Sequence, residues 1–474
     1  MIFKHTVIYL LARIIPGIMA FIGISLYTHL LSPDQYGLYT LLLTSSMLLH
    51  HGLFNWLPTG ALRFWFNKDY DDAKLISTLL ITYIKLALLF SVLTLIVVLI
   101  FWGKVETNWI ANIYLLILAL SLYTLTQKIF MAKIQPLNFA YLTISYASLA
   151  LFFGALFAYL GYGPNGIIFG IMLGNVIPIL FVFKKVWLPF HKKDVSKTLF
   201  RKLWVFGVPM SSALLLEEII KTSDRFMLAG LQDKAQAGLY AVAYDLSGIS
   251  IFMIMMAINF AAYPLIIKLL ETKGKQAAID YSRHYAILLF AVAIPATVGL
   301  NLIGSNLIKL LIDTSYQEPV IQLLPWMTVS LFLMGLQIFY FNLSYQLGHH
   351  TIGILKINLI IALMNISLNY LLIPSMGLKG AAIATISSSA LGVLLSAFLG
   401  RRYFSLPFPI VEITKTVIAA LFMCLCLWQL KELSGWGWLV IQIFIGMLSY
   451  FIIIYRFDVL DIQHNIRSLL KKPT

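Results

Sequence analysis

Five ionisable residues fall close together in one apolar stretch of the sequence. They are Glu217, Glu218, Lys221, Asp224 and Arg225. At helical spacing four of them share one face and Glu218 lies beside it, because residues three, four and seven positions apart stack on one side of a helix. Lysine and arginine bind anionic oxygens through charge-assisted hydrogen bonds, whereas an embedded carboxylate can change its protonation with its surroundings. The cluster indicates anion binding, ion or proton coupling, or internal ion pairs that fix helix packing.

Five more ionisable residues lie inside other apolar stretches: Arg13, Lys85, Asp245, His50 and His51. A charge within an apolar span usually faces a protein interior or a water-filled path. We therefore treat Arg13, Lys85 and Asp245 as candidates for the same interior. The two histidines suit pH-linked gating, and interior histidines satisfied by hydrogen bonds are the simpler alternative.

The elements that carry these residues are membrane helices. The 474 residues are 60% hydrophobic and 11% charged, with a mean hydropathy of +0.89, whereas a soluble chain is roughly half apolar and a quarter charged. About 20 apolar residues span a bilayer, so the chain is long enough for many crossings. The apolar run that ends at Leu31 lacks a small-residue cleavage site, and we expect it to be the first membrane helix.

Apolar runs separated by short polar loops predict an all-α integral membrane protein with about fourteen transmembrane helices. The predicted helices cover residues 5–31, 36–62, 75–102, 109–127, 138–160, 164–183, 203–230, 237–267, 284–304, 319–347, 351–374, 378–400, 410–430 and 437–455. With a cytoplasmic N-terminus, loops on that side hold 23 of the 34 Lys and Arg residues, the opposite loops hold 5 and helices hold 6. Because basic residues collect in cytoplasmic loops, both termini are expected in the cytoplasm.

The same distribution explains the net charge of +15. The basic excess is an orientation signal that also suits anionic lipids of the inner leaflet. Membrane lipids are therefore the expected partner of the basic loops, and a nucleic-acid partner is not expected.

Two copies of one pattern divide the chain into related halves. LSPDQYGLY at residues 31–39 matches LQDKAQAGLY at 231–240, and Pro16 matches Pro209 in the leading helices. Six crossings per half make the two repeats parallel, related by an axis along the membrane normal. We predict an N-terminal six-helix bundle at 1–183, a basic cytoplasmic linker at 184–202, a C-terminal six-helix bundle at 203–400, and two appended transmembrane helices with a cytoplasmic tail at 401–474.

The familiar enzyme motifs are absent from the sequence. No Walker loop, HExxH or nucleophile elbow occurs. GYGPNG at 161–166 spells GxGxxG, but it lies between two predicted membrane helices and follows no strand. Cys424 and Cys426 have neither disulfide nor metal spacing. We predict no catalytic residues, no cofactor and no metal site.

Motifs in both halves of the chain resemble a known family. They are Leu31, Pro33, Tyr36, Gly37 and Tyr39 after a helix with Arg13 embedded in it, and then Gly207-Val208-Pro209, Asp224-Arg225 and Ala237-Gly238-Leu239-Tyr240. With these motifs and its helix count, the sequence resembles the polysaccharide biosynthesis transporters, which are Wzx-type oligosaccharide flippases of the multidrug/oligosaccharidyl-lipid/polysaccharide (MOP) superfamily. The two appended helices favour this branch over the multidrug exporters, which normally have twelve.

The resemblance implies two six-helix bundles around a central cavity and transport by alternating access. The implied cargo is a polyprenyl-pyrophosphate-linked oligosaccharide, moved from the inner to the outer leaflet of a bacterial cytoplasmic (inner) membrane. Its product would be O-antigen, capsule or exopolysaccharide. A polysaccharide polymerase and the chain-length machinery become candidate partners.

A flippase of this kind needs cations in its pathway, because they replace part of the hydration that a phosphate loses. The expected contacts to phosphate or sugar are Arg13, Lys85, Lys221 and Arg225. The candidates for ion or proton coupling are Glu217, Glu218, Asp224, Asp245, His50 and His51. Four acids balance these four cations, so the interior is less cationic than a pyrophosphate cargo alone would suggest.

Two other functions stay open at this point. A cation-coupled multidrug exporter of the same superfamily fits the embedded carboxylates. A membrane glycan polymerase or ligase is expected to use a large extracytoplasmic loop, whereas the longest predicted outer loop has about fifteen residues, near 304–318. Transport is therefore the favoured interpretation.

Overall fold

The computed structural model is all-helical, as the sequence predicts. It describes residues 2–65, 70–101 and 106–459, and these contain no β-strand. Eleven helical runs in these ranges are long and apolar enough to cross a membrane, so the chain is a multi-pass membrane protein. The predicted cytoplasmic tail beyond residue 459 lies outside the described residues, as do the loop residues Lys68 and Lys104.

Two compact units divide the chain, and we call them the N-terminal unit (Met1–Gly238) and the C-terminal unit (Leu239–Thr474). The helices that lie within the N-terminal unit are α1 (Ile2–Leu30), α2 (Pro33–Leu53), α3 (Trp56–Phe64), α4 (Asp72–Ile100), α5 (Thr107–Ala132), α6 (Pro136–Phe157), α7 (Gly163–Trp187) and α8 (Lys197–Leu231). The next helix, α9 (Lys234–Ser247), crosses the boundary. The predicted division into bundles at 1–183 and 203–400 stays a prediction.

The C-terminal unit continues with helices of very different lengths. They are α10 (Met253–Lys273), α11 (Lys275–Leu311), α12 (Thr314–Gly335), α13 (Leu343–Leu347), α14 (Ile352–Gly400), α15 (Ile410–Trp428) and α16 (Trp436–Arg456). Short π-helical segments occur in both units. Ala158–Tyr162 follows α6 in the N-terminal unit. In the C-terminal unit, Gly248–Phe252 lies between α9 and α10, and Leu336–Phe341 follows α12.

Two of the eleven membrane-type runs are too long for a single crossing. Pro136–Trp187 has 52 residues and Ile352–Gly400 has 49, which would measure roughly 75 Å at 1.5 Å per residue. Each run breaks at a glycine with positive φ, Gly161 at +91° and Gly377 at +53°, so each contains two helices. The first break lies at the start of GYGPNG, and α7 begins within that segment at Gly163. Because α2 is not among the eleven runs, the count of about fourteen stays a prediction.

The second predicted helix is interrupted in the structure. The sequence predicts one helix over 36–62, but α2 ends at Leu53 and α3 begins at Trp56. Proline has no backbone N–H, so Pro58 cannot bond to the carbonyl four residues earlier. The carbonyl of Phe54 instead accepts from the Leu57 N–H at 3.0 Å. The chain therefore bends directly after the two histidines at the end of α2.

Small residues let α6 and α7 approach closely. A Cβ on Gly170 would lie 2.5 Å from the Cα of Gly154, and a Cβ on Gly174 would lie 2.7 Å from the Cβ of Ala150. Neither distance leaves room for a methyl group, so glycine is required at both positions. The backbones of α6 and α7 therefore pack directly against each other.

The two C-terminal helices are joined to the rest of their unit by polar contacts. Arg283 on α11 pairs with Glu412 on α15 at 2.7 Å, and the Tyr450 hydroxyl on α16 donates to the carbonyl of Ala291 on α11 at 2.6 Å. The hairpin α15–α16 therefore packs as part of the C-terminal unit.

Candidate functional site

The candidate site lies in the N-terminal unit, where α2 and α3 pack against α8. A Cβ on Gly207 would lie 2.9 Å from the carbonyl carbon of Trp56, so the backbones of α3 and α8 are in contact. One turn further along α8, the Ser211 hydroxyl donates to the backbone carbonyl of His51. This contact fixes the end of α2 against the turn of α8 that precedes the ionic cluster.

His51 faces the ionic residues of α8. It is half-buried, and it lies within electrostatic range of Glu218, Lys221 and Glu217. Its Nδ1 atom is buried and has no hydrogen-bond partner among the described residues. Lys221 donates to Glu217 Oε1 at 2.6 Å, with 26% of the lysine side chain and 35% of the glutamate side chain exposed. Three of the ionic residues expected from the sequence, Glu217, Glu218 and Lys221, therefore lie around one histidine.

His50 has a different environment from its neighbour. It is buried, with 3% of its surface exposed, and its Nδ1 lies 2.9 Å from the Ser121 hydroxyl on α5. That hydroxyl already donates to the carbonyl of Ile117 at 2.6 Å, so it accepts from an Nδ1–H of His50. Thr124 lies 3.5 Å from the other ring nitrogen. His50 is thus a hydrogen-bonded interior histidine that joins α2 to α5.

A second cationic group lies on α1 and α5. Arg13 on α1 is half-buried, and it lies within electrostatic range of Lys128 on α5. The predicted helix 109–127 leaves Lys128 in a loop, whereas α5 continues to Ala132. The signal that could have found it is the spacing of Ser121, Thr124 and Lys128, which puts three polar residues on one face of a helix.

The remaining expected residues lie elsewhere. Asp224 and Arg225 are buried two turns beyond Glu217 on α8, with 1% and 7% of their surfaces exposed. Asp245 is half-buried on α9, in the C-terminal unit. Lys85 is exposed on α4, on the same face as Leu88 and Leu89, which are 62% and 57% exposed.

No metal site is formed by the described residues, because they contain no group of three or more His, Cys, Asp or Glu side chains that could hold an ion. The polar groups around His51 are instead the carboxylates of Glu217 and Glu218 and the ammonium group of Lys221. Such a set can bind an anion or exchange a proton.

The sequence matches a family model described as "Polysaccharide biosynthesis protein" over residues 2–270. This range includes the N-terminal unit and the beginning of the C-terminal unit. No curated protein matches the chain.

Several solved structures share the fold. "Lipid II flippase MurJ, inward closed conformation" has a TM-score of 0.70 and 16% identity, with 99% of this chain and 100% of that chain covered. An inward-facing multidrug resistance MATE family transporter of the MOP superfamily has a TM-score of 0.58 and 14% identity, with 86% and 99% covered. A MOP superfamily transporter from Pyrococcus furiosus Vc1 has a TM-score of 0.61 and 13% identity, with 88% and 96% covered. At these identities the likeness shows a common fold.

Proposed function

The chain belongs to the polysaccharide biosynthesis protein family and has the fold of MOP superfamily transporters, and on this basis we propose that it is a lipid-linked oligosaccharide flippase. It carries a polyprenyl-pyrophosphate-linked oligosaccharide from the inner to the outer leaflet of a bacterial cytoplasmic membrane. The mechanism is alternating access, and the product serves O-antigen, capsule or exopolysaccharide synthesis. The protein is a transporter and not an enzyme.

The family match is the single observation that carries this proposal. It covers residues 2–270, in a chain with eleven apolar helical runs. A sugar linked to pyrophosphate cannot cross an apolar slab without polar groups to replace its water. A membrane-embedded member of a polysaccharide biosynthesis family is therefore suited to the step that moves such a cargo across the membrane.

We assign the embedded cations to the cargo. Arg13 and Lys221 are half-buried and Arg225 is buried, in helices that qualify as membrane spans. Guanidinium and ammonium groups bind phosphate oxygens strongly when water is scarce. Lys85 is the fourth proposed contact, from the exposed face of α4.

We assign ion or proton coupling to the carboxylates around His51. Glu217 and Glu218 are half-buried, and both lie within electrostatic range of the imidazole. A change of charge at any member of such a group alters the energy of the others. Asp224 and Asp245 are further coupling candidates. His50 supports this group through its hydrogen bond to Ser121.

The remaining features of the proposal concern the membrane. Both termini lie in the cytoplasm, and the two six-helix bundles at 1–183 and 203–400 move against each other. The polysaccharide polymerase and the chain-length machinery receive the product at the outer leaflet. The basic loops contact anionic lipids of the inner leaflet.

A deletion strain tests the function directly. Loss of the protein should stop surface glycan export and cause lipid-linked oligosaccharide to accumulate on the inner leaflet. In complementation, Arg13→Ala and Arg225→Ala should restore less export than the wild type, with normal membrane insertion. Arg201→Ala is the matched control, because Arg201 is exposed at the start of α8. Normal surface glycan in the deletion strain would refute the function, and normal export by both variants would refute the pathway assignment.

A second candidate is a cation-coupled multidrug exporter of the same superfamily. The observation that favours it is the pair of half-buried carboxylates on α8, together with the likeness to MATE family transporters. Drug efflux assays in the same deletion strain separate the two functions. Lost efflux of organic cations with normal surface glycan would establish the exporter.

A further inference from the structure

Side-chain amides from three helices gather at one end of the N-terminal unit. α2, α5 and α7 pack against one another, and each carries an amide side chain within its first two turns. Asn112 on α5 donates to the Oδ1 atom of Asn165 on α7 at 2.7 Å. Gln35 on α2 lies beside the first residue of α7, because its Nε2 atom is 3.8 Å from the place of a Cβ on Gly163. We call Gln35, Asn112 and Asn165 the amide cluster.

An aromatic ring and a lysine adjoin the amide cluster. Trp109 is half-buried one turn before Asn112 on α5, so the two side chains lie on the same side of the helix. The Nζ atom of Lys234, the first residue of α9, is 5.0 Å from the centre of the Trp109 ring. This cation–π contact helps to hold the indole in place. A Cβ on Gly37 would overlap the Lys234 carbonyl, so α2 also holds this end of α9.

The amide cluster keeps hydrogen-bonding groups that the protein does not use. Among the described residues, Asn112 and Asn165 form hydrogen bonds through their side chains only with each other. The remaining Asn112 Oδ1 and Asn165 Nδ2 atoms are not among the buried atoms that lack a partner, so both reach solvent. Gln35 accepts from the Ser32 N–H at 3.1 Å through Oε1, and its exposed side chain keeps the Nε2 atom for another acceptor. The cluster therefore offers both amide oxygen and amide nitrogen atoms to a ligand.

The charges at this end of the unit favour a neutral ligand. Exposed carboxylates lie at the starts of α2, α5 and α9: Asp34, Glu106 and Asp233. They repel a phosphate group. The ammonium group of Lys234 repels a second cation at the indole ring, which it already contacts. A hydroxyl-rich, uncharged molecule meets neither obstacle.

This end of the N-terminal unit is the outer one in the predicted topology. The loops before α5 and α9 hold Lys104 and Lys234, which fall on the side opposite to the cytoplasmic termini. A cargo that has crossed the membrane presents its sugar residues on this side.

We propose that the amide cluster and Trp109 form a carbohydrate-binding site, which receives a neutral sugar residue of the cargo at the outer face. This inference rests on the flippase function proposed above. Sugar hydroxyl groups both donate and accept hydrogen bonds, which matches the side-chain amides. The apolar C–H face of a sugar ring packs on an aromatic surface such as that of Trp109.

Binding of neutral oligosaccharides to the purified full-length protein tests the site. The probe is the mixture released from the host's surface glycan by partial acid hydrolysis, with charged fragments removed by ion exchange. Trp109→Leu should weaken binding about tenfold, because the aromatic surface is lost. Asn112→Ala and Asn165→Ala should each weaken it about threefold to tenfold through lost hydrogen bonds. Trp109→Tyr keeps an aromatic ring and should bind nearly as well as the wild type.

Two matched variants are the controls. Trp436 is exposed at the start of α16, and Asn138 donates to the side-chain amide of Gln135 near the start of α6. Trp436→Leu and Asn138→Ala should bind like the wild type. Inorganic pyrophosphate and tetraphenylphosphonium should not compete. Absence of binding to the wild type, equal binding by Trp109→Leu, or competition by tetraphenylphosphonium would overturn the proposal.

A measurement on the wild-type protein covers the case in which Trp109→Leu does not fold. The neutral oligosaccharides should protect the Trp109 ring from oxidation by hydroxyl radicals, with Trp436 as the unprotected reference, both read by mass spectrometry. Equal oxidation of Trp109 with and without the oligosaccharides would count against the site.

The binding and deletion experiments can fail separately. Absence of oligosaccharide binding, in a protein whose deletion accumulates lipid-linked precursor, refutes the site and keeps the flippase. Binding that depends on Trp109, in a protein whose deletion leaves surface glycan normal, supports the site and refutes the flippase.

Discussion

Gly37 and Gly238 contact each other through their backbones. A Cβ on Gly238 would lie 2.8 Å from the Gly37 nitrogen and would overlap the Pro33 carbonyl, and a Cβ on Gly37 would overlap the Lys234 carbonyl. The two glycines hold the same place in the matched segments YGLY and AGLY. The segments that reveal the sequence repeat are therefore also packed against each other, and only glycine fits at both positions.

Gly37→Ala should destabilise this contact. The added methyl group meets backbone atoms, which cannot move aside as a flexible side chain can, so the expected cost is about 1–3 kcal/mol. Thermal unfolding of the purified protein in detergent should show a lower apparent Tm. Surface glycan should also fall in complemented cells.

Gly230→Ala is the matched control for that experiment. Gly230 lies within α8 and has nothing within 4 Å of an added Cβ. Alanine in an open helical position lowers the entropy of the unfolded chain, so the apparent Tm should stay equal or rise slightly. Equal behaviour of the two variants would contradict the tight contact at Gly37.

The Glu217–Lys221 pair allows the pathway and structural roles of α8 to be separated. The two side chains are partly exposed, so solvent screening limits the stabilising effect of the pair to about 0–1 kcal/mol. We expect the exchanged double variant Glu217→Lys/Lys221→Glu to keep wild-type thermal stability and to lose most glycan export.

A single variant completes that experiment. Lys221→Gln should reduce export with a small change in apparent Tm, because its ammonium group is needed at a fixed place beside His51. Full export by the exchanged variant would show that the pair is purely structural. Export is read as surface glycan on complemented cells, and the apparent Tm is read on protein purified from the same cells.

Parts of the fold and site follow from the sequence, and other parts do not. Hydropathy is local, so the apolar helices and the turn at Gly161 are predictable. The spacing of Glu217 and Lys221 predicts their ion pair because both residues lie on one helix. The approach of His51 to Glu218 depends on how α2 packs on α8, which no spacing within either helix encodes.

Helix ends account for two of the differences. Pro58 signals the break after Leu53. The apolar run continues across this break, and for that reason the sequence predicts a single helix over 36–62. Lys128 marks a helix end by its charge, whereas α5 extends four residues further to Ala132. A lysine near the cytoplasmic end of a helix is compatible with a loop, an interface or an interior position, so only packing distinguishes them.

His50 and His51 should respond differently to substitution. His50 is buried and bonded to Ser121, so His50→Ala should cost about 1–3 kcal/mol through the lost bond and the unsatisfied partner. His51→Gln should leave the apparent Tm nearly unchanged and reduce export, because the group beside Glu218 loses its titratable ring. Thermal unfolding and surface glycan, measured on both variants, check this.

Ser121→Ala serves as the control for the His50 substitution. It removes the same hydrogen bond from the α5 side and should lower the apparent Tm in the same direction. A large loss of stability in His51→Gln, with none in His50→Ala, would reverse the assigned roles.

Gln442 should be a stability determinant of the α15–α16 hairpin. Its side chain is 1% exposed, and its amide nitrogen donates to the Leu430 carbonyl at 2.6 Å, while its amide oxygen accepts from Asn306 on α11 at 3.0 Å. Gln442→Ala leaves these buried groups without their partner, at an expected cost of about 1–3 kcal/mol. Gln429→Ala, at an exposed position beyond the end of α15, should have little effect. If both variants unfold at the wild-type temperature in detergent, the hydrogen bonds of Gln442 do not stabilise the hairpin.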